Sequence, residues 1–477
     1  MTREELIKEL IKKIGGIADE NVIDAYVVGG YVRDTILGRT VKDFDVMVVG
    51  DGVAFAEKVA KAFRIQTLVI YSNFGTAMLP MGPENFDLKI EFVGARSESY
   101  HQDSRKPVVQ AADLQSDLSR RDFTINALAM SITQASFGQI IDLFNGRDDI
   151  TKKIIRTPLD PDTTFSDDPL RMMRAVRFAS QLLFTIDPAT LDGIARNAER
   201  IAIISQERIT DELIKIIDSP KPSAGMNILN DTGLLKIIFP ELTALAGVEQ
   251  QQGYLHKDVF KHTLKVLDNM AEMSEDTRLR FAALMHDIGK PRTKRFVDGA
   301  GWTFHGHEDV GSRMVKGIGR KMKLPTDFLN YVSKMVRLHM RPIQLVDEEV
   351  TDSAIRRLIF DSGQDVDALL TLCRADITSG NKERAKRHLE NFERVLQRVR
   401  EVEEKDRLRA FQPPIKGEEI MALFGLKPGK TVGRLKKMIE EAVLDGVIPN
   451  EYDAAYDYLM KNKNKILSEA ETSLHGK

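Results

Sequence analysis

Short runs rich in β-branched residues fill roughly the first third of the chain, and apolar residues at three- and four-residue steps dominate the rest. The runs "DAYVVGG", "FDVMVVG", "IQTLVIY" and "LKIEFVG" have strand length and alternate with helical stretches, which predicts an α/β pattern up to about residue 150. From "DDPLRMMRAVRFASQLL" onward, through "ITDELIKIID", "FKHTLKVLDNM" and "RLRFAALMHDIG", the apolar period becomes helical and no further strands are expected. Turn-forming residues in "DSPKPSAG" and "EQQQGYLHKD" divide this helical part. The segment "KERAKRHLENFERVLQRVREVEEKDRLR" carries mixed charges at helical spacing and predicts a long solvated helix, ended by "FQPPIKGEE".

At 477 residues the chain is too long for one core, and about 100–200 residues per domain implies three or four units. Its 42% apolar and 29% charged residues are ordinary for a globular protein, and no apolar run approaches the ~20 residues that span a bilayer, so no membrane role is expected. The start, "MTREELIKELIKKIGG", reads as an amphipathic helix without the apolar centre of a signal peptide. Cys373, the single cysteine, excludes an intrachain disulfide and a thiolate metal cluster; the expectation is a reducing cytoplasm. A net charge of −2 and a pI near 6.5 mean that local basic patches, not a global field, would have to hold any polyanion.

The stretch "VVGGYVRDTILGRTVKDFDVMVVG" (27–50) carries the first candidate chemistry. Strand periodicity sends Asp43 and Asp45 to one face and Phe44 and Val46 to the other. Two carboxylates that close repel, and a Mg2+ ion shared with substrate phosphates relieves the repulsion. Gly29 and Gly30 would let backbone amides approach a triphosphate, with Arg33 following within one turn as a phosphate partner. The alternative is a solvent-facing strand end after a tight turn.

This stretch resembles the head motif of class II tRNA nucleotidyltransferases, the family of CCA-adding enzymes and bacterial poly(A) polymerases. The resemblance continues in order through "EFVGARSESY", "RRDFTINALAM", "DLFNGRDDI", "TFSDDPLRMMRAVRFA" and "ERITDELIKI". It implies that Asp43 and Asp45 hold magnesium and activate an RNA 3′-hydroxyl for attack on an α-phosphate. Glu91, in "KIEFVG", falls where a further acidic residue would help, or is a strand-end charge.

Arg171, Arg174 and Arg177 follow one another at three-residue steps behind an acidic, proline-containing helix start. On an arbitrary helix such a ridge makes surface salt bridges. The resemblance implies instead that Asp168 and Arg171 read the incoming base, and that Arg174 and Arg177 help bind the nucleotide. A carboxylate accepts from the amino group of C or A, whereas G and U present a carbonyl there. In "RRDFTINA", Arg121 is the better candidate for nucleotide contact beside Asp122, and Asn126 the structural one.

A second constellation runs from His262 to Asp376. His286 and Asp287 end an apolar helix, where Gly289 is expected to cap it and leave both side chains at a pocket mouth. An isolated His-Asp pair is usually structural, but His262, His307, His339 and Asp376 complete a nitrogen-and-oxygen ligand set suited to Mn, Ni, Fe or Mg. The order, and "HDIGKP" above all, resembles the HD phosphohydrolase superfamily. That resemblance implies one metal on His262, His286, Asp287 and Asp376 and a second supported by His307 and His339, with His305 a nearby competitor and Lys290 a phosphate contact. Near the C-terminus, Lys427, Lys430, Arg434, Lys436 and Lys437 surround a "PGK" turn that suits RNA phosphate or simple helix packing.

The expected architecture is an α+β head of nucleotidyltransferase fold with a mixed sheet (1–155), then all-α parts: a neck (156–248), an HD domain (249–400) and a tail (401–477). The expected function is addition of CMP and AMP from CTP and ATP to the tRNA 3′ end, without a nucleic-acid template and without a DNA partner. Poly(A) polymerase and CC-only or A-only addition are the close alternatives. A metal phosphohydrolase with a nucleotide-binding head is the alternative of another class.

Overall fold

The computed structural model describes residues 2–41, 43–72, 75–101, 104–247, 249–251, 254–256, 258–347, 351–378, 382–406 and 414–472. The chain divides into two compact units, Met1–Ala244 and Leu245–Lys477.

The first unit opens with α1 (Arg3–Glu20), whose entry is locked by a reciprocal pair: Glu5 N donates to Thr2 Oγ1 at 3.3 Å, and Thr2 N donates to the Glu5 carboxylate at 2.7 Å. The strands follow as β1 (Ala25–Val28), β2 (Phe44–Val48), β3 (Val69–Tyr71), β4 (Thr76–Pro80), β5 (Lys89–Gly94), β6 (Arg96–His101), β7 (Ser104–Ala111), β8 (Leu128–Ser131) and β9 (Ile140–Asp142). Seven of them form a sheet in the order β3-β4-β5-β2-β1-β8-β9, while β6 and β7 make a separate antiparallel hairpin that the periodicity did not signal. Only β2 and β5 run parallel in the large sheet, so the sheet is mixed, as expected.

Helices α2 (Gly30–Ile36) and α3 (Gly52–Phe63) leave the ends of β1 and β2. On one face of the sheet Phe44, Val46, Ile90 and Phe92 are buried, with Phe55 of α3 meeting Phe92 edge-on at 6.0 Å. Each such side chain contributes about 1.5–3 kcal/mol on removal from water. Alternation then leaves Asp45 and Glu91 on the other face, so the packing of one side fixes the address of the carboxylates.

Beyond the sheet come α4 (Leu114–Ser119), α5 (Gly146–Lys152), α6 (Pro161–Asp167), α7 (Leu170–Leu182), α8 (Pro188–Asn197) and α9 (Gln206–Ile217). Asp160 caps α6 by accepting from Thr163 N at 3.1 Å, and α7 packs on α9. A two-residue parallel pairing, Ile154–Ile155 with Thr185–Ile186, is a small exception to the all-helical expectation.

In the second unit, helices Val259–Met273, Thr277–Met285, His307–Lys321, Thr326–Leu338 and Val366–Asp376 pack around a common core. Two short hairpins, 249–251 with 254–256 and 295–297 with 301–303, again depart from the expected absence of strands. The charged helix Lys382–Asp406 is not a solvated strut: Phe392, Val395, Val399 and Val402 form a buried stripe within it. Its apolar residues are few but sit at i, i+3, i+7 and i+10, so a narrow face packs while charges cover the rest. Helices Gly417–Phe424, Lys430–Leu444 and Tyr452–Thr472 close a smaller core of Ile415, Ile420, Leu435, Ile439, Ala455 and Leu459. The first three residues of "FQPPIKGEE" and part of "EQQQGYLHKD" lie outside the described residues.

Candidate functional site

Asp45 on β2 and Glu91 on β5 are direct partners in the parallel register, so both point from the same face of adjacent strands. Asp43 precedes β2 and accepts from Lys89 N at 3.0 Å, which holds it beside them. Burial and then the neighbouring Glu91 carboxylate push Asp45 up to about 6, against the pull of Arg121, and Asp43 adds to the rise. An accumulation of negative charge that retains a proton up to that pH is what a divalent cation would relieve. The three carboxylates with their oxygen donors therefore suit Mg2+.

Beside them the chain turns sharply. Gly29 has φ +69°, donates to Leu128 O at 3.1 Å, and leads into α2. A side chain there would be strained by φ, and its Cβ would lie 3.1 Å from Arg121 NH1. Gly30, Arg33, Asp43, Asp45 and Phe178 line a cleft of about 560 Å3.

A continuous polar network stands behind this cleft. Arg33 donates to Asp34 at 2.9 Å and 2.8 Å and to Asn126 Oδ1 at 2.7 Å. Asn126 in turn donates to Asp122 Oδ1 at 3.0 Å, and Arg174 Nε donates to Asp122 Oδ2 at 2.8 Å. Burial alone would raise Asp122, but Arg174 and Asn126 outweigh it and hold the carboxyl down at about 2. The guanidinium carbons of Arg33, Arg174 and Arg177 lie 5.0, 5.5 and 4.4 Å from the centre of the Phe178 ring. Arg177 NH1 donates to Glu212 on α9 at 3.2 Å. Arg171 is buried and donates to Thr164 O at 3.3 Å, while Asp168, at the α6–α7 corner, accepts from Leu170 N at 3.1 Å and lies 3.9 Å from Arg208.

The second unit holds a buried cluster of different make. His286 Nε2 lies 3.4 Å from His262 Nε2, 3.5 Å from Asp376 Oδ1 and 3.2 Å from Asp287 Oδ2. His307 Nε2 lies 3.3 Å from His339 Nε2 and 3.4 Å from Asp287 Oδ1. The opposite nitrogens are all engaged: Nδ1 of His286, His307 and His339 faces the carbonyls of Ala283, Phe304 and Val336 at 2.8, 3.0 and 2.7 Å, and Nδ1 of His262 meets Thr378 Oγ1 at 2.9 Å. Carbonyl acceptors oblige Nδ1 to carry the proton in those three rings, which leaves Nε2 lone pairs converging with the carboxylates. That donor set fits a divalent metal, in two groups: His262, His286 and Asp376, and Asp287, His307 and His339. Without a cation, burial would lower His286, but Asp287 and Asp376 prevail and lift it to about 9; burial and the His286 charge hold His339 down to about 4.

The chain is 31% identical over 439 residues to the A-adding tRNA nucleotidyltransferase of Deinococcus radiodurans, covering 90% of this chain and 94% of that one. It is 30% identical over 441 residues to the CC-adding tRNA nucleotidyltransferase of Thermus thermophilus, covering 90% and 92%. The chain belongs to the tRNA nucleotidyltransferase family. Residues 25–156 match the poly A polymerase head domain, 183–245 the probable RNA and SrmB-binding site of polymerase A, and 259–380 the HD domain. A multifunctional CCA protein of Nitrosococcus oceani is 33% identical over 324 residues, 66% of this chain and 74% of that protein. The fold matches that of the Bacillus stearothermophilus CCA-adding enzyme in complex with CTP, with a TM-score of 0.68 at 24% identity over 96% of this chain and 98% of that one. The protein is thus an enzyme of the nucleotidyltransferase class. Among the described residues no helix is long and apolar enough to cross a membrane.

In this tRNA nucleotidyltransferase, Asp43, Asp45 and Glu91 gather with Gly29, Gly30 and Arg121 at one end of the head sheet. Arg33 is held by Asp34 and Asn126 and lines the cleft, and Arg174 is held by Asp122. Gly289 has φ −79° and does not cap the preceding helix in a left-handed conformation; it permits close packing, since a Cβ there would lie 2.2 Å from His307 O. His286 and Asp287 are buried, not placed at a mouth, and Asp287 bridges the two metal-ligand groups. Lys290 Nζ contacts Asp287 Oδ2 at 2.7 Å, and His305 is exposed. Lys427, Lys430, Arg434, Lys436 and Lys437 are all exposed, with Lys437 3.7 Å from Glu441. Sequence reasoning missed Phe178 and Glu212. The adjacency of Phe178 to the arginine ridge in "RAVRF" was the available signal for the first; nothing local marks the second.

Proposed function

We propose that this enzyme adds CMP and AMP from CTP and ATP to the 3′ end of tRNA, completing CCA without a nucleic-acid template. The observation that carries this reading is the in-register pair Asp45–Glu91, joined by Asp43, with Asp43 and Asp45 lining a cleft together with Gly30 and Phe178. Asp43, Asp45 and Glu91 would hold Mg2+, which when bound neutralises the triphosphate and favours ionisation of the RNA 3′-hydroxyl. Lys89 N orients Asp43, and the strand pairing sets the other two carboxylates side by side on one face. Arg121 approaches the phosphates, while Asp168 and Arg171 at the α6–α7 corner read the amino-bearing edge of C or A. Lys427, Lys430 and Arg434 are the proposed RNA-phosphate contacts of the tail.

A narrower reading, CC-only or A-only addition, is favoured by one specific observation: two relatives that match over 90% of this chain are an A-adding and a CC-adding enzyme. Incubation with tRNA ending at the discriminator base and each labelled nucleotide, followed by sequencing, separates the three outcomes. Products ending in CCA support the full reading, and products stopping at CC, or lengthening only from a CC end, replace it.

The HD cluster is proposed as a divalent-metal phosphohydrolase centre held by His262, His286, Asp287, His307, His339 and Asp376. A bound Mn, Ni, Fe or Mg ion supplies a hydroxide nucleophile and a phosphoryl clamp. An RNA 3′ end blocked by a phosphate or 2′,3′-cyclic phosphate cannot accept CMP, so clearing it on the same chain serves the same end.

A further inference from the structure

We propose that Asp117 is a positioning residue of the nucleotide site: its buried carboxylate, clasped between Arg120 and Arg121, aims the remaining Arg121 amino group at the triphosphate beside Asp45. The inference rests on the reading of the Gly29 turn and the Asp45 carboxylate group as the nucleotide seat. Asp117 lies on α4, outside the cleft, and its side chain is fully buried. A carboxylate buried so completely persists only if paired, and each of its oxygens takes one guanidinium. Oδ1 accepts from Arg120 Nε at 3.2 Å and NH2 at 2.7 Å, and Oδ2 accepts from Arg121 Nε at 3.2 Å and NH2 at 2.9 Å.

The two arginines are held alike but face different surroundings. Arg120 Nε also donates to Arg96 O at 2.9 Å, on the hairpin side. Arg121 engages Asp117 through Nε and NH2, and its NH1 lies 3.1 Å from where a Gly29 Cβ would be. The Arg121 charge also acts directly on Asp45. A guanidinium gripped on one edge presents its other edge in a fixed direction, so little side-chain freedom is left to lose when an anion arrives. Glycine at position 29 keeps that edge unobstructed. The ligand that matches a fixed guanidinium edge, a cluster of metal-binding carboxylates and a glycine turn is a nucleoside triphosphate bound through its phosphates.

The test is a double-mutant cycle on the full chain using Asp117→Asn, Arg121→Ala and their combination, read as the CTP and ATP KM, the tRNA KM and kcat. Asp117→Asn keeps the size and one acceptor but loses the charge. The expected result is a nucleotide KM raised about tenfold, roughly the value of one charge-assisted hydrogen bond, with the tRNA KM unchanged. In the Arg121→Ala background, Asp117→Asn should add less than about twofold, because the side chain it aims is gone. A purely structural role would lower the active fraction, and hence kcat, without a selective rise in nucleotide KM. Fully additive effects, or an unchanged nucleotide KM in Asp117→Asn while Arg121→Ala raises it, overturns the inference alone. An unchanged nucleotide KM in Arg121→Ala overturns the placement of the nucleotide seat itself. If Asp117→Asn does not fold, Arg121→Lys, which keeps the charge but cannot be gripped on one edge while presenting another, should reproduce the KM rise; a wild-type KM there overturns the proposal.

Discussion

The two candidate centres differ in how much of their geometry exists before any cation or substrate binds. In the HD cluster each of the four imidazoles is pinned at Nδ1, and His286, Asp287 and His339 are almost entirely buried. In the head, Asp45 and Glu91 are placed only by strand register, and Glu91 is exposed. A site that keeps a resident metal gains from enclosure and fixed tautomers. A site that must admit a triphosphate and an RNA end gains from openness, with the substrate phosphates completing the metal's coordination. The electrostatics differ too: burial and the neighbouring Glu91 carboxylate lift Asp45 to about 6, whereas burial of Asp287 is outweighed by His286, which holds that carboxyl well below its usual range.

The largest effect should come from removing a head carboxylate. Asp45→Ala is expected to lower nucleotide addition by at least about 10^3-fold while leaving tRNA affinity within a few-fold. Single-turnover addition and filter binding check both halves, and full activity would erase the contrast between the centres. The next effect concerns stability. Because Asp45 titrates near 6 instead of near 3.8, its charge penalises the folded state above pH 6; the penalty fades as pH falls through 6 and is gone below about 4. Asp45→Asn should therefore stabilise the magnesium-free protein at pH 7.5 by on the order of 2 kcal/mol, a shift of several degrees, and the advantage should vanish near pH 4. Asp122 has the opposite sign: its carboxyl is held at about 2, so its contribution is present above pH 4 and is lost as pH falls toward 2. Thermal melts across pH separate the two.

Much of this was legible in the residues. The four strands read from β-branched runs are all present, and Asp43 and Asp45, expected together from a strand period of two, line one cleft although Asp43 precedes the strand. What escaped depends on contacts between distant segments. Asn126 joins Arg33 to Asp122, and Glu212 meets Arg177 across 35 residues, so no window of sequence contains either pair. The helix Lys382–Asp406 misled because its charges outnumber its apolar residues, although Phe392, Val395, Val399 and Val402 already marked a face. The HD histidines could be named from order, but their pinning carbonyls could not, since any residue supplies a carbonyl.

Smaller effects sharpen the comparison further. Asp168→Ala should relax discrimination against UTP and GTP by about tenfold, with less change in the rate of CTP addition, because its hydrogen bonds address the base and not the phosphate. Misincorporation assays with mixed nucleotides check it, and unchanged selectivity removes Asp168 from base reading. Lys427→Ala with Lys430→Ala should weaken tRNA binding only a few-fold and reduce its salt dependence, as expected for exposed phosphate contacts. A salt series of tRNA titrations shows this, and an unaltered slope returns the "PGK" turn to simple helix packing.

The claim that two separate metal chemistries share one chain is tested most directly by assaying wild type, Asp45→Ala and Asp287→Ala on the same preparations for nucleotide addition to tRNA, phosphate release from RNA ending in a 3′-phosphate or 2′,3′-cyclic phosphate, and bound transition metal. Asp45→Ala should lose addition but keep hydrolysis and its resident metal, while Asp287→Ala should lose metal and hydrolysis but still extend unblocked tRNA. Equal hydrolysis by wild type and Asp287→Ala, or a wild-type HD cluster that takes up no metal, would contradict it.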